Sequence, residues 1–125
     1  MRNTRRNIPS ALLVRIENAT NNGRCGEAKI MLYQFFAGLR SDNELLEAVI
    51  DTAQSAGAAA DFAQAEQLYA IVVGLHEHCL PELYAPAIRA MRLYAELLEL
   101  QGKDSELEAF LVRAARLIER AGINV

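Results

Sequence analysis

Apolar residues recur along this chain at steps of three and four, the period that lays them along one stripe of an α-helix. The pattern is fullest from Ala60 to Leu75, ADFAQAEQLYAIVVGL. There Phe62, Ala65, Leu68, Tyr69, Val72, Val73 and Leu75 share a face, and Gln64, Glu66 and Gln67 are left for water. Asp61 stands just ahead of the run, placed to accept hydrogen bonds from the unpaired N–H groups of a first helical turn. The spacing predicts a helix that frays near His78, and the same pattern recurs before and after it.

The first predicted helix opens at Pro9-Ser10, buries Leu12, Leu13 and Ile16, and stops at Asn21-Asn22-Gly23. A second runs over about 26–39, with Ala28, Met31, Leu32, Phe35, Phe36 and Leu39 inward. Ser41-Asp42-Asn43 caps a third, from Glu44 to about Ala56, whose apolar face is Leu45, Leu46, Val49, Ile50 and Ala53. Gly57 ends or loosens it. Pro81 and Pro86 bracket a single turn over 82–85, and the fifth helix starts at or near Pro86. It carries Ile88, Met91, Tyr94, Ala95 and Leu98 inward and stops at Gly102. Asp104-Ser105 opens the sixth, with Leu107, Phe110, Leu111, Ala114, Leu117, Ile118 and Ala121 as its stripe and Gly122 as its end. Helices joined this tightly pack as antiparallel neighbours.

The chain is similar to itself. A small residue precedes each even-numbered helix, at Gly23, Ala60 and Gly102, so the steps are 37 and 42 residues. Five positions on lie Ala28, Ala65 and Leu107; nine on lie Leu32, Tyr69 and Leu111; twelve on lie Phe35, Val72 and Ala114.

At these residues the chain resembles the tetratricopeptide repeat family. Residues 60–69, from Ala60-Asp61-Phe62 through Ala65 to Tyr69, are similar to the family's Gly-Asp-Tyr/Phe-x-x-Ala-x-x-x-Tyr segment, with Ala60 in the usual Gly place. Met91, Tyr94, Ala95, Leu98 and Gly102 fall where the family favours Trp, Leu, Gly, Tyr and Gly. The 42-residue step resembles the extended repeats of kinesin light chains. The likeness is fullest over 60–118, whereas Arg15 and Ile16 depart from the usual Leu and Gly. The resemblance implies an all-α fold, an α-α superhelix of three antiparallel helix pairs. It also implies a groove lined by the first helix of each pair. The partner-binding side chains carried over from the family pattern are Leu13, Glu17, Glu47, Asp51, Gln54, Arg89, Arg92 and Glu96. The family's carboxylate clamp for chaperone C-terminal peptides needs Lys and Asn where Leu13 and Glu17 stand, so no such clamp is expected.

Stacking supports the repeat reading physically. A helix pair cannot bury its apolar side alone, and three pairs are about the minimum for stability. No capping helix follows Gly122. Unless Ile123 and Val125 fold back, the last helix should expose apolar surface that a homodimer or a bound partner would cover.

Composition narrows the function. The 125 residues, 52% apolar and 23% charged, fit one globular domain over 9–122, between a flexible basic arm at 1–8 and a tail at 123–125. No run of about 18 apolar residues offers a membrane span. Arg2, Arg5 and Arg6 have no secretory segment behind them, so a cytoplasmic location is expected. The net charge of −3 gives the body no broad attraction for nucleic acid, although the arginine arm keeps open a regulatory module that touches it. Cys25 and Cys79 make no disulfide framework, and both are expected as reduced thiols. His76, His78 and Cys79 invite a metal, yet His76 and His78 diverge by about 200° on a helix and three candidates fall short of a zinc set. No metal or cofactor is expected. Phosphate loops, nucleophile elbows and H-E-x-x-H are absent from the sequence, so the expectation is a non-catalytic module that holds a peptide or helix of another protein. A narrower expectation, by resemblance, is a helical-repeat chaperone for a bacterial secretion subunit.

Overall fold

A computed structural model of the chain describes residues 8–122, and over them the protein is all-α. Six helices follow in order: α1 (Ser10–Asn21), α2 (Cys25–Phe35), α3 (Asp42–Ala58), α4 (Phe62–His78), α5 (Tyr84–Leu100) and α6 (Asp104–Ala121). The expected arm at 1–8 and tail at 123–125 lie outside the described residues, with one exception. Ile8 belongs to the core, 1% exposed, and its carbonyl accepts from the Gln64 side chain at 3.4 Å.

α4 is the element the others enclose. Nine of its residues are buried, from Ala65 to His76, and they face α1, α3 and α5 in turn. The apolar stripe read from the sequence accounts for Ala65, Leu68, Tyr69, Val72, Val73 and Leu75, with Phe62 half-buried, but Ile71 and Gly74 are buried as well. Gly74 is buried because α1 comes close there: a Cβ at this position would stand 3.2 Å from the Thr20 methyl carbon. Thr20 itself is buried and donates its hydroxyl to the Ile16 carbonyl at 2.8 Å, so it brings no unpaired polar group to the contact.

Local rules set most of the ends. Ser41 accepts from the Glu44 N–H at 3.1 Å while the Glu44 carboxylate accepts from the Arg40 N–H at 2.7 Å, a reciprocal cap that starts α3. Asp61 accepts from the Gln64 N–H at 3.3 Å and starts α4. Three expected ends move. α2 stops at Phe35 instead of near 39, because the chain leaves helical angles at Phe36 and turns left-handed at Gly38 (φ 88°). α3 runs through Gly57 to Ala58. α5 begins at Tyr84, two residues before Pro86; within a first turn the N–H that proline lacks has no intrahelical partner, so Pro86 does not have to come first.

The three joints inside the hairpins α1–α2, α3–α4 and α5–α6 are conformational copies. Gly23, Ala60 and Gly102 have φ of 73°, 65° and 71°. The next N–H in each case reaches back five residues, Arg24 to Ala19 at 2.8 Å, Asp61 to Ala56 at 2.8 Å and Lys103 to Leu98 at 3.0 Å. This is the left-handed ending that satisfies orphan carbonyls of a finishing helix. Ala60 adopts it against the steric preference of a residue with a Cβ.

The hairpins are not attached in the same way. α5 packs on both α3 and α4, whereas α1 packs on α4. α2 packs against α1 and is tied outward by side chains: Lys29 and Tyr33 reach Asp42 of α3 at 3.0 and 2.6 Å. Those contacts hold the Asp42 carboxyl below its ordinary pKa, the Tyr33 hydroxyl first. Partial burial, then the same carboxylate, pushes Tyr33 up to about 12. Cys25, at the start of α2, is disulfide-bonded to Cys79, just after α4, with Cα atoms 5.5 Å apart. The expectation of two reduced thiols is therefore corrected. A separation of 54 residues conceals a pairing that only the packing of the first hairpin against the end of α4 creates.

Two outcomes follow from this framework. Replacing Ala60 by glycine should stabilise the protein by about 0.5–1 kcal/mol, read as a higher denaturant midpoint with an unchanged m-value. Reduction, or the pair Cys25→Ser and Cys79→Ser, should cost about 2–4 kcal/mol. Amide exchange should then rise first in α2, whose other ties are few.

Candidate functional site

α6 packs on α5 alone among the major contacts, and this sets the surface chemistry of the hairpin. Of its eighteen residues only Phe110 and Leu117 are buried. Phe110 anchors it by meeting the Tyr94 ring at 4.6 Å, and Tyr94 in turn stacks on Tyr69 of α4 at 6.2 Å. Polar ties flank this anchor. Arg113 holds Glu77 of α4 through two bonds, 3.0 and 2.5 Å, which lower the Glu77 pKa and raise that of Arg113. Lys103 reaches Glu66 at 2.9 Å.

Of the rest of the α6 stripe, Leu107 and Ala114 are half-buried against the core, and Leu111 is exposed. Between α5 and α6 lies a groove of about 760 Å³ with an apolar floor: Ala85, Ile88, Met91 and Ala95 from α5, and Leu107, Leu111, Ala114 and Ile118 from α6. Leu111 is 50% exposed, and neighbouring Val112 53%. The α5 rim carries Arg89, Arg92, Glu96 and Glu99. Such a surface favours an apolar body oriented by charges of both signs.

The eight residues carried over from the family pattern divide into three groups. Leu13 is 1% exposed and belongs to the core, because α1 turns it toward the protein interior. It leaves the set of surface contacts. Glu17 is half-buried and accepts from Gln67 of α4 at 3.2 Å, away from the others. Glu47, Asp51 and Gln54 of α3 come together around Arg89 of α5. Arg89 donates to Glu47 and, at 3.1 Å, to Gln54, and stands 3.5 Å from Asp51. Arg92 and Glu96 line the α5–α6 groove with it. Four of the eight thus form one polar ridge with Arg89 at its crest, and Arg92 and Glu96 continue that ridge to the groove. The apolar walls from α6 were missed as contacts. Their signal was the predicted stripe itself, which contains more apolar residues than one neighbouring helix can cover.

The His76–Cys79 segment is arranged otherwise. His76 is buried, tilted against the Tyr84 ring at 4.8 Å, with Nδ1 3.1 Å from the Leu80 carbonyl oxygen, where an Nδ1–H donates. His78 is exposed, and Cys79 is committed to its disulfide. Burial holds the His76 pKa below the ordinary 6.5. The described residues contain no group of three or more His, Cys, Asp or Glu placed to hold a metal ion, and none of their helices is long and apolar enough to cross a membrane.

No family model, curated protein or solved structure matches this chain.

The buried histidine gives a pH dependence with a definite sign. The unfolded chain takes up the proton near pH 6.5, before the folded one does, so stability present above that pH is lost as pH falls toward the lower folded-state value. Acidification from pH 7 to 5.5 should lower the thermal midpoint, and His76→Gln, which keeps a donor for the Leu80 carbonyl, should flatten that slope. An equal slope in both proteins would assign it to other groups.

Proposed function

We propose that this protein is a non-catalytic protein–protein interaction module, built as a tetratricopeptide-like array, that holds a helix or peptide of a partner protein. The observation that carries the reading is the α5–α6 groove, an apolar floor of eight side chains beside a rim of both charges. A groove of this form suits the mode in which an amphipathic segment lays its apolar face between two helices. The α3–α5 ridge of Glu47, Asp51, Gln54 and Arg89 supports it by adding polar contacts beside the same groove. The identical left-handed joints at Gly23, Ala60 and Gly102 support the repeat architecture. Custody of a secretion subunit before export is one biological form of this reading.

The expected cytoplasmic setting has to accommodate the Cys25–Cys79 bond. Disulfides persist in oxidising compartments and are rare or transient where glutathione and thioredoxin keep thiols reduced, so the bond weighs toward the former.

Site-specific photocrosslinking in the native cell tests the module. A benzophenone side chain at Leu111 or at Arg92 should give an adduct with the same partner protein, and one at exposed Asn22, on the far hairpin, should not. Adducts of equal yield from all three positions, or none from the groove, would refute the reading.

A further inference from the structure

The step of 42 residues that separates the second and third hairpins can be applied to the packing as well as to the sequence. α5 lies in a slot made by α3 and α4, touching both. Leu46, Val49 and Ala53 are fully buried residues of the α3 wall, and 42 positions on stand Ile88, Met91 and Ala95. Ala65, Tyr69 and Val72 are buried residues of the α4 wall, and 42 positions on stand Leu107, Leu111 and Ala114. Buried His76 maps to Ile118. Those images are seven of the eight apolar residues lining the α5–α6 groove; the eighth, Ala85 at its end, stands 42 positions after exposed Asn43. We infer that this groove is a helix slot, the translated copy of the one α5 fills, and that it takes an amphipathic helix of another protein lying parallel to α5. The inference rests on the interaction-module reading and names the chemistry of the partner.

Charge specifies that helix further. In the filled slot Arg89 of α5 donates to Glu47 and Gln54 of α3. The image of Gln54 is Glu96, which makes no ion pair among the described residues, so a basic residue of the incoming helix belongs over Glu96. The image of Glu47 is Arg89, already neutralised by Glu47 and Asp51, so no acid is demanded there. Two positions have changed character. Ile50 and Gly57 map to Arg92 and Glu99, and Gly57 in the filled slot lies against Leu97 of α5, 3.9 Å from a Cβ built on it. The vacant slot therefore asks for an acidic residue near Arg92, followed one to two turns later by basic residues near Glu96 and Glu99. Acid and base at that spacing also stabilise an isolated helix. A second copy of this chain does not supply such a segment. The apolar face of its α5 is buried at Ala87, Ala90 and Leu98, and the exposed strip of its α6 is a wall of its own slot.

The probe is a fluorescein-labelled synthetic peptide with the sequence of residues 81–101, the helix that the parent slot already accepts; its Arg89 supplies the base over Glu96, while Leu97 falls over Glu99. It should bind the intact protein saturably, with an affinity in the range of about 1–100 μM. Leu111→Glu, at a half-exposed position that leaves the fold intact by circular dichroism, should abolish binding. Glu96→Arg should weaken it at least about fivefold, and the peptide carrying R89E should recover the loss on the Glu96→Arg protein. Absence of saturable binding up to about 1 mM, binding indifferent to both groove variants, or failure of the swapped pair to recover would overturn the slot. So would sedimentation of the protein as a dimer that Leu111→Glu dissociates, since the occupant would then be a second copy. A failed peptide with groove crosslinking intact removes the slot alone; loss of both removes the module reading beneath it.

Discussion

A helix with apolar side chains around most of its circumference is stable in water only when other helices surround it, and α4 is that helix. Burying each of its large aliphatic side chains contributes about 1.5–3 kcal/mol, and the α3–α4 hairpin alone realises only part of that. α1, α3 and α5 must all be in place. Close packing then fixes details elsewhere. Gly74 admits the end of α1, and the Tyr69–Tyr94–Phe110 rings carry the core outward from α4 through α5 to α6. Packing density falls in that direction, from nine buried residues on α4 to two on α6.

This gradient is what creates a surface with something to do. α5 lies against both α3 and α4, while α6 has only α5 as a major neighbour, so the α5–α6 side is the thinly packed one among the described residues. The floor of the α5–α6 groove is apolar, and its rim carries Arg89, Arg92, Glu96 and Glu99. Charge on the rim keeps the open groove compatible with water. The polar ridge around Arg89 lies at the boundary, holding α5 to α3 on one side and edging the groove on the other.

The first hairpin solves its attachment differently. Without a broad apolar contact to α3, α2 relies on Asp42, which gathers Lys29 and Tyr33, and on the covalent tie to Cys79. A tether of that kind restrains the unfolded chain as well as the folded one. It also makes this end of the protein responsive to redox conditions in a way that the α3–α6 portion, held by burial, is not.

The sequence by itself determined the six helices, the caps at Ser41 and Asp61 and the small residues at the joints, because hydrogen-bonding at helix ends and a 3.6-residue period act over a few residues and leave their mark locally; the left-handed turn at Ala60 came from the structure. It also determined that α6 carries more apolar surface than its neighbour can use. Tertiary structure decided the rest. Whether Leu13 faces a groove or the core, whether Cys25 meets Cys79, and whether α1 lies on α3 or on α4 depend on contacts between residues about fifty apart. A repeat pattern implies that the hairpins are alike, but their packing is settled by side-chain volume at each interface, and no local period encodes that.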